Sequence, residues 1–563
     1  MANHRTPIEW REVTPAHLHA LLDGLRGKVT DEEYRELTAL VETVISLADL
    51  LARKNISITR LRKVIFGAAT EKTREVLAHA GDGPERTGAR GDDASSPQTG
   101  QAGGATASRP RQPGHGRHGA ASYPGARAIT ITHPTLKHGD PCPACAGGKV
   151  YVQGEPKVLL RFAGQAPIGA TVYSLERLRC HLCGLLFRAP VPDGVGEDKY
   201  EVTTGAMIAQ LKYGSGVPFH RLAQLQATIG IPLPPSTQWE IVAGVATRIA
   251  PVLPELIRQA AQGDVLYNDD TGMTVLSLLR GTRDARADRT PGEPSAARDV
   301  SPDRTGIFTS GIVATRDGQR IALYFTGRRH AGENLAIVLA HRAPDLGPPI
   351  QMCDALSRNV PETFDTILAN CLCHARRTVV DVAPDFPPES RYVLETLRDV
   401  YACDATAREQ RLSREARLAL HQQHSRPLMD ALHAWCERQL GEPLVEPNSG
   451  LGEAIKYFLK HWTKLTRFLD VAGAPLDSNL VERALKKAIL HRKGALFYKT
   501  ENGARVGDLF MSAIHTCELN GINAFEYLVE LQRHADALKE APDAWLPWTY
   551  RETLQKIAVA PAA

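Results

Sequence analysis

The chain has 563 residues, more than one hydrophobic core usually holds, so several domains are expected. With 43% hydrophobic and 23% charged residues it has a globular composition, and no run of about 18 apolar residues predicts a membrane span. The net charge of +4 is too small to establish a nucleic-acid partner, and residues 1–5 lack the apolar core of a signal peptide, so we expect a cytoplasmic protein.

An N-terminal helix is predicted to begin at a capping-box pattern over residues 30–33. Apolar residues then recur at heptad spacing, with Lys54 in one core position, and a single polar core residue can fix the register of a coiled coil. The apolar positions are Leu37, Leu40, Val44, Leu47, Leu51, Ile58, Leu61 and Ile65. We interpret residues 1–75 as N-terminal helices with a leucine-zipper-like coiled coil that pairs protomers; an amphipathic helix packed on its own chain is the alternative.

The second half of this region is basic, because residues 51–76 hold seven Lys or Arg and two Glu. Arg60, Arg62 and Lys63 are therefore candidate DNA contacts, since phosphate binding depends on local charge more than on net charge. A solvated helix face is the alternative. Residues 76–123 are then rich in Gly, Ala, Ser, Pro, Asp and Arg, a composition that predicts a disordered linker.

Residues 124–195 are predicted to form a zinc-binding module. Two Cys-x-x-Cys pairs are separated by 34 residues, and glycines follow each pair, as in turns that hold two thiolates. One structural Zn²⁺ would stabilise a module too small for a large core. A redox-active Cys-x-x-Cys is the alternative. The predicted zinc ligands are Cys142, Cys145, Cys180 and Cys183.

Residues 196–260 are predicted to be a helical DNA-binding module. Short helices at 206–211, from 218 and from 235 are separated by turns that contain Gly and Pro. This arrangement resembles a helix-turn-helix, although a small all-helical core fits the same pattern.

Residues 261–355 have the pattern of the first part of an α/β core. Apolar runs predict strands at 273–279, 306–315, 320–326 and 350–353, with a helix at 334–342 before the last strand. Residues 280–305 are polar and contain Pro, which indicates an insertion.

Three acidic residues of this half of the chain occupy positions that suit metal-dependent phosphoryl transfer. Asp269 and Asp354 each end a short apolar run, and Glu482 lies at the start of a basic helix. An RNase H-like core would bring such residues together around two Mg²⁺ or Mn²⁺ ions, roughly 3.5–4 Å apart. Singly, each has another explanation: a turn or cap role for the aspartates, and a helical pair with Lys486 for Glu482.

Between these acids, residues 356–474 are predicted to be an inserted helical domain. Residues 475–530 complete the core with the acidic helix, and residues 531–563 form a C-terminal tail.

His374, close to Cys371 and Cys373, resembles a ligand cluster, but adjacent Cys and His are poor chelators, so we interpret these residues as helical packing with a basic face. Residues expected to contact DNA phosphates on the acidic helix are Arg483, Lys486, Lys487, Arg492 and Lys493.

Several motifs, in order along the chain, resemble the IS66 family of insertion-sequence transposases. Residues 65–72 resemble its FG-x-x-SEK element, 114–117 its GHGR, 212–222 its KY…PLYRL and 371–377 its C-x-x-HARR. The two cysteine pairs match its zinc-binding domain, and residues 494–497, 519–521 and 546–548 resemble its RKNWLF, LNG and LPW elements. The resemblance assigns the catalytic DDE places to Asp269, in the DET-like motif, to Asp354, and to Glu482, in the N-x-x-ER motif.

The resemblance implies a DNA transposase that binds terminal inverted repeats, nicks the element ends and joins the freed 3′-hydroxyl to target DNA. It also allows small accessory proteins of the same element as partners, and a homodimer or larger oligomer in the bacterial cytoplasm, associated with the nucleoid when bound to DNA. Two other readings stay open. Altered motifs, such as Asp270 in place of the family's Glu, are compatible with a catalytically decayed, DNA-binding transposase. An RNase H-like nuclease or resolvase would cleave without joining.

Overall fold

The structure, a computed structural model, describes residues 198–279 and 304–559 throughout, with isolated residues and short stretches between 19 and 41, at 73 and between 134 and 195. No described helix is both long and apolar enough to cross a membrane. Most of the heptad positions and the predicted linker lie outside the described residues. Seven predicted site residues also lie outside them: Arg60, Arg62, Lys63, Cys142, Cys145, Cys180 and Cys183. Those interpretations stay predictions.

One compact unit comprises residues 86–212 and 216–247. In its described part, strands β1 (Arg177–Arg179) and β2 (Leu186–Arg188) form an antiparallel pair. The helices predicted between 203 and 245 are present: α1 (Val202–Ala209), α2 (Phe219–Thr228) and α3 (Pro235–Ile249). Side-chain amides of this unit cap its turns: Gln226 donates to the carbonyl of Ile168 at 2.9 Å, and Gln238 to that of Leu233 at 2.8 Å.

The other unit, residues 1–85, 213–215 and 248–563, contains a mixed five-stranded sheet that supports the α/β expectation. Its strands are β3 (Val265–Gly272), β4 (Phe308–Arg316), β5 (Gln319–Gly327), β6 (Ile350–Cys353) and β7 (Ile367–Asn370). The spatial order is β5-β4-β3-β6-β7, in which β3, β4 and β5 pair antiparallel, whereas β6 and β7 run parallel to β3. Helix α5 (Ala331–Leu339) lies in the crossover that a parallel neighbour requires.

Two details of the sequence prediction were wrong. Residues 273–279 do not form a strand: Val275 makes a single bridge to Tyr498, and residues 276–279 are helical. Strand β7 was not predicted, because its four residues follow a polar turn and are too few to show an alternating pattern.

Along the chain, the remaining described α-helices of this unit come before the first strand of the sheet or after its last strand. Before β3 comes α4 (Val252–Ala261); after β7 come α6 (Leu372–Val382), α7 (Pro387–Glu409), α8 (Arg414–Gly441), α9 (Gly450–Leu465), α10 (Asn479–Ala495), α11 (Glu501–Leu519), α12 (Ala524–Arg533), α13 (Ala535–Glu540) and α14 (Tyr550–Val559).

Alternate residues of β3 enter different cores, as the two-residue period of a strand requires. Leu266 packs with residues of α4 and α5, whereas Val265 packs with residues of α6 to α9. The helices inserted between β7 and α10 therefore share their core with the face of β3 that carries Val265, Tyr267 and Asp269.

Helix α10 approaches the sheet closely at Gly311. In the β3–β4 register Gly311 is paired with Asp269, and a Cβ at position 311 would lie 2.9 Å from Cδ2 of Leu485 and 3.5 Å from Cγ2 of Val481. Glu482 lies between these two helical residues in the sequence. The missing side chain of Gly311 thus lets the helix that carries Glu482 pack directly over the strand beside Asp269.

Helix α11 covers the outer edge of β5 with polar side chains four residues apart. Asp508, Ser512, Thr516 and Asn520 accept hydrogen bonds from the backbone N–H groups of Thr326, Tyr324, Ala322 and Arg320, at 2.7, 3.0, 3.1 and 3.1 Å. Four residues of helix rise about 6 Å and two of strand slightly more, so the two repeats stay in step. The edge strand is therefore satisfied by a helix instead of by another strand.

Gly311→Ala should destabilise the protein by about 1–3 kcal/mol, because the added methyl group forces Leu485 or the whole of α10 outward. Urea unfolding followed by circular dichroism measures this change. The matched control is Gly327→Ala in β5, where an added Cβ meets nothing within 4 Å. Equal stability of the two variants would show that α10 does not pack tightly at this glycine.

Candidate functional site

Asp269 and Asp354 lie side by side because their strands pair in parallel. The observed register pairs Val265 with Ile350 and Tyr267 with Met352; Asp269 lies two residues beyond Tyr267 on β3, and Asp354 lies two residues beyond Met352, directly after β6. The buried side chain of Asn359 connects them: its Nδ2 donates to Oδ1 of Asp354 at 2.5 Å and lies 3.4 Å from Oδ1 of Asp269. Both carboxylates are thus within reach of one amide nitrogen.

The proximity of these carboxylates has an electrostatic cost. Burial, followed by the charge of Asp354, raises the pKa of Asp269 to about 6. A hydrogen bond from the backbone N–H of Asp270, at 2.8 Å, acts in the opposite direction but does not compensate. Two acids held together in this way favour a bound cation, since a positive charge between them removes the repulsion.

Asp270, the neighbour of Asp269, points to the other side of the strand and is already neutralised. Its side chain is 1% exposed, forms an ion pair with Arg358 at 3.2 Å and lies within hydrogen-bond distance, 3.0 Å, of Nδ1 of His330. Asp270 therefore anchors β3 to the start of α5 and to the turn before β7. The sequence alone did not distinguish the roles of the two adjacent aspartates.

Glu482 enters the site from the first turn of α10. The hydroxyl of Ser478 donates to its Oε1 at 3.1 Å, and Nδ1 of His374 lies 3.7 Å from the same oxygen. Among the described residues, one group of three has metal-ligand atoms all within 4.8 Å of one another, and it consists of Cys371, His374 and Glu482.

His374 links this group to the paired aspartates. Its interaction with the Cys371 side chain, and then the charges of Glu482 and Asp354, raise the pKa of His374 to about 9 against the effect of burial. In turn, the positive charge of His374 lowers the pKa of Asp269. All three predicted catalytic acids thus interact with, or lie near, one imidazole. Sequence reasoning set this residue aside; the Cys-x-x-His spacing, one helical turn after a strand, was the available signal.

The basic residues predicted on α10 divide into two groups. Arg483, Lys486 and Lys493 are exposed and available for phosphate contacts. Lys487 instead forms an ion pair with Glu518 at 2.7 Å, and Arg492 donates to the backbone carbonyl of Gly272 at the end of β3. These last two residues hold α10 against the rest of the unit.

The three predicted acids supply carboxylate oxygens, the donors that Mg²⁺ and Mn²⁺ prefer. Asp269 lies on β3, Asp354 directly follows β6, and Glu482 lies on α10, which packs over Gly311 of β4, the residue paired with Asp269. In the described part of the chain the ligand atoms of these three acids do not all lie within 4.8 Å of one another, as those of Cys371, His374 and Glu482 do.

Comparison with known families gives a match over the same part of the chain. The family described as "Transposase IS66 family" matches residues 199–290 and 312–506, together just over half of the chain. The matched region contains all three acids, the paired strands β3 and β6, and helix α10.

Relatives of similar overall length are found in Sinorhizobium fredii. The uncharacterized protein y4jD is 26% identical over 384 residues, which cover 67% of this chain and 71% of the relative. The uncharacterized protein y4hP is 25% identical over 446 residues, 75% of each chain. The uncharacterized protein y4qI is 24% identical over 356 residues, 62% of each chain.

Asp269→Asn should stabilise the protein at neutral pH when no divalent metal is added. The pKa of Asp269 is about 6 in the folded state, against an ordinary value of 3.8, so the folded state binds the proton more tightly. The contribution of Asp269 to the free energy of unfolding therefore decreases as pH rises from about 4 to about 6, by up to about 3 kcal/mol. Urea unfolding across this range should show a smaller loss in the variant. A variant less stable than wild type at pH 7 would contradict the assignment.

Asp270→Asn should have the opposite effect and destabilise the fold by about 1–3 kcal/mol. Removal of the buried charge leaves His330 and Arg358 without their partner, although Arg358, 43% exposed, regains hydration. Thermal unfolding at pH 7, with Asp269→Asn as the matched neighbour, measures the difference. If both variants shift the melting temperature in the same direction, the two aspartates do not have the separate roles described above.

Proposed function

The chain belongs to the IS66 family of transposases, and from this membership and the paired carboxylates of Asp269 and Asp354 we propose that it is a DDE-type DNA transposase. In this proposal the protein binds the terminal inverted repeats of its element, cleaves the strands there and transfers them to target DNA. The single observation that carries the chemistry is the approach of both aspartates to Asn359, beside the point where α10 packs over Gly311 of β4.

We further propose that the sheet and its helices form an RNase H-like core with an inserted helical domain. The order β5-β4-β3-β6-β7, with three antiparallel strands followed by two parallel ones, supports this assignment. The insertion would comprise α6 to α9, between β7 and the acidic helix α10.

Asp269, Asp354 and Glu482 would hold two Mg²⁺ or Mn²⁺ ions. When bound, such ions supply an activated nucleophile and stabilise the charge that develops on the transferred phosphate. The chain's own residues contribute position: Asn359 fixes the spacing of the aspartates, and Ser478 orients Glu482. His374 carries positive charge between the acids while no metal is bound.

DNA contacts would come from exposed basic residues next to the acids. Arg483, Lys486 and Lys493 lie on the same helix as Glu482, where they would bind phosphates without reading sequence. The four-cysteine zinc module and the helices α1 to α3 would hold the terminal repeats, and the N-terminal coiled coil would pair two protomers so that two ends meet. Accessory proteins of the same element could take part, in the bacterial cytoplasm.

Strand transfer on pre-nicked terminal-repeat DNA tests the proposal. Asp269→Ala, Asp354→Ala and Glu482→Ala should each lower the rate in Mg²⁺ by roughly two orders of magnitude or more, because each removes a metal ligand. Asp317→Asn is the control, since this acid is 80% exposed in the turn between β4 and β5. Its rate should stay within about twofold of wild type.

The same assay distinguishes the two alternative functions. Tight DNA binding without cleavage in Mg²⁺ or Mn²⁺ would favour a catalytically decayed, DNA-binding protein. Cleavage of branched or hybrid substrates without joining would favour a nuclease or resolvase. Unchanged rates for the aspartate variants would remove the catalytic assignment.

A further inference from the structure

The cluster of Cys371, His374 and Glu482 has a donor set unlike that of the three acids. Its sulfur, nitrogen and oxygen atoms all lie within 4.8 Å of one another, and Nδ1 of His374 is 3.7 Å from Oε1 of Glu482. Hard cations such as Mg²⁺ avoid thiolate, whereas zinc accepts Cys, His and carboxylate ligands together. The chemistry of the cluster therefore points to a different metal.

The local structure places these ligands with little freedom. Cys371 is the N-cap residue of α6, and His374 follows one turn later on the same helix. The helix N-terminus stabilises negative charge on the sulfur, and the backbone N–H of Ser478 donates to the same sulfur at 3.3 Å. Since the hydroxyl of Ser478 also donates to Glu482, this one buried residue connects two of the three ligands.

The cluster is half-buried. Cys371 and Nδ1 of His374 are buried, whereas the side chains of His374 and Glu482 as wholes are 28% and 26% exposed. Three protein ligands leave the fourth tetrahedral position of zinc to water, in contrast to a closed four-cysteine site.

We propose that Cys371, His374 and Glu482 bind a zinc ion, separate from the predicted four-cysteine zinc, and that this ion withdraws Glu482 from Asp269 and Asp354. Glu482 belongs to both ligand sets, so zinc in this cluster and a full set of hard cations at the three acids compete for one carboxylate. Zinc would thereby inhibit strand transfer. The binding part stands by itself, whereas the inhibitory part rests on the proposed function.

Zinc content of the full-length chain, measured with a competing chromophoric chelator, tests the binding part. Cys371→Ser and His374→Ala should each hold one zinc fewer than wild type at equal free zinc, with affinity for the lost ion reduced at least about 10-fold. Cys436→Ala is the matched control, because this cysteine is equally buried but lies in the core of the inserted helices. Its zinc content should equal that of wild type.

A spectroscopic readout identifies the sulfur ligand. With Co²⁺ in place of zinc, the difference between wild type and Cys371→Ser should contain a sulfur-to-cobalt charge-transfer band, and the difference between wild type and Cys436→Ala should not. Equal zinc content in wild type and in both cluster variants would overturn the site. Loss of zinc in the control as well would also overturn it, since the effect would then be general destabilisation.

Strand transfer in Mg²⁺ with added zinc tests the inhibitory part. For each protein, the rate with zinc is divided by its own rate in Mg²⁺ alone. This relative rate should fall at least about 10-fold for wild type, whereas Cys371→Ser should keep most of its rate. Zinc that binds through Cys371 without lowering the rate would overturn inhibition but keep the site. Zinc binding with no strand transfer under any condition would mean that the proposed function fails while the site stands.

Discussion

The arrangement of the whole site depends on the parallel pairing of β3 with β6. Parallel register leaves no choice about which side chains are neighbours, so Asp269 must lie level with Asp354 once these strands are formed. Burial at this position, and then repulsion from the charge of Asp354, raise the pKa of Asp269 to about 6. A fold without a use for a cation at this position would gain stability by replacing Asp269.

The surrounding residues manage that repulsion in two ways. Asn359 donates one amide nitrogen to both carboxylates, and its own backbone carbonyl accepts hydrogen bonds from Asn268 and Gln351 at 2.7 Å each, which fixes its position. His374 supplies positive charge from the start of α6. The same imidazole lies beside the thiol of Cys371 and the carboxylate of Glu482.

Much of this site was predictable from the sequence, and some of it was not. Apolar runs that end in Asp269 and Asp354 predicted two strands with acids at their ends, and the motif around Glu482 predicted an acidic helix. Asn359 and Arg358 gave no signal, because their role depends on a turn that closes only when β6 and β7 pair. The roles of Asp269 and Asp270 required the register, since a strand alone does not show which face is covered. The sequence did show His374, but it was interpreted as a packing residue because the adjacent Cys373 is a poor partner for chelation. The cysteine that lies near His374 in the structure is Cys371, one helical turn away.

The polar ladder between α11 and β5 limits how copies of this chain can assemble. Every second backbone N–H along residues 320–326 of β5 donates to a side chain of α11 or of Asn520 at its C-terminal end, so these N–H groups are not free to pair with a strand from another molecule. A strand from a second copy of this chain could therefore extend the sheet at this edge only after these four hydrogen bonds were broken.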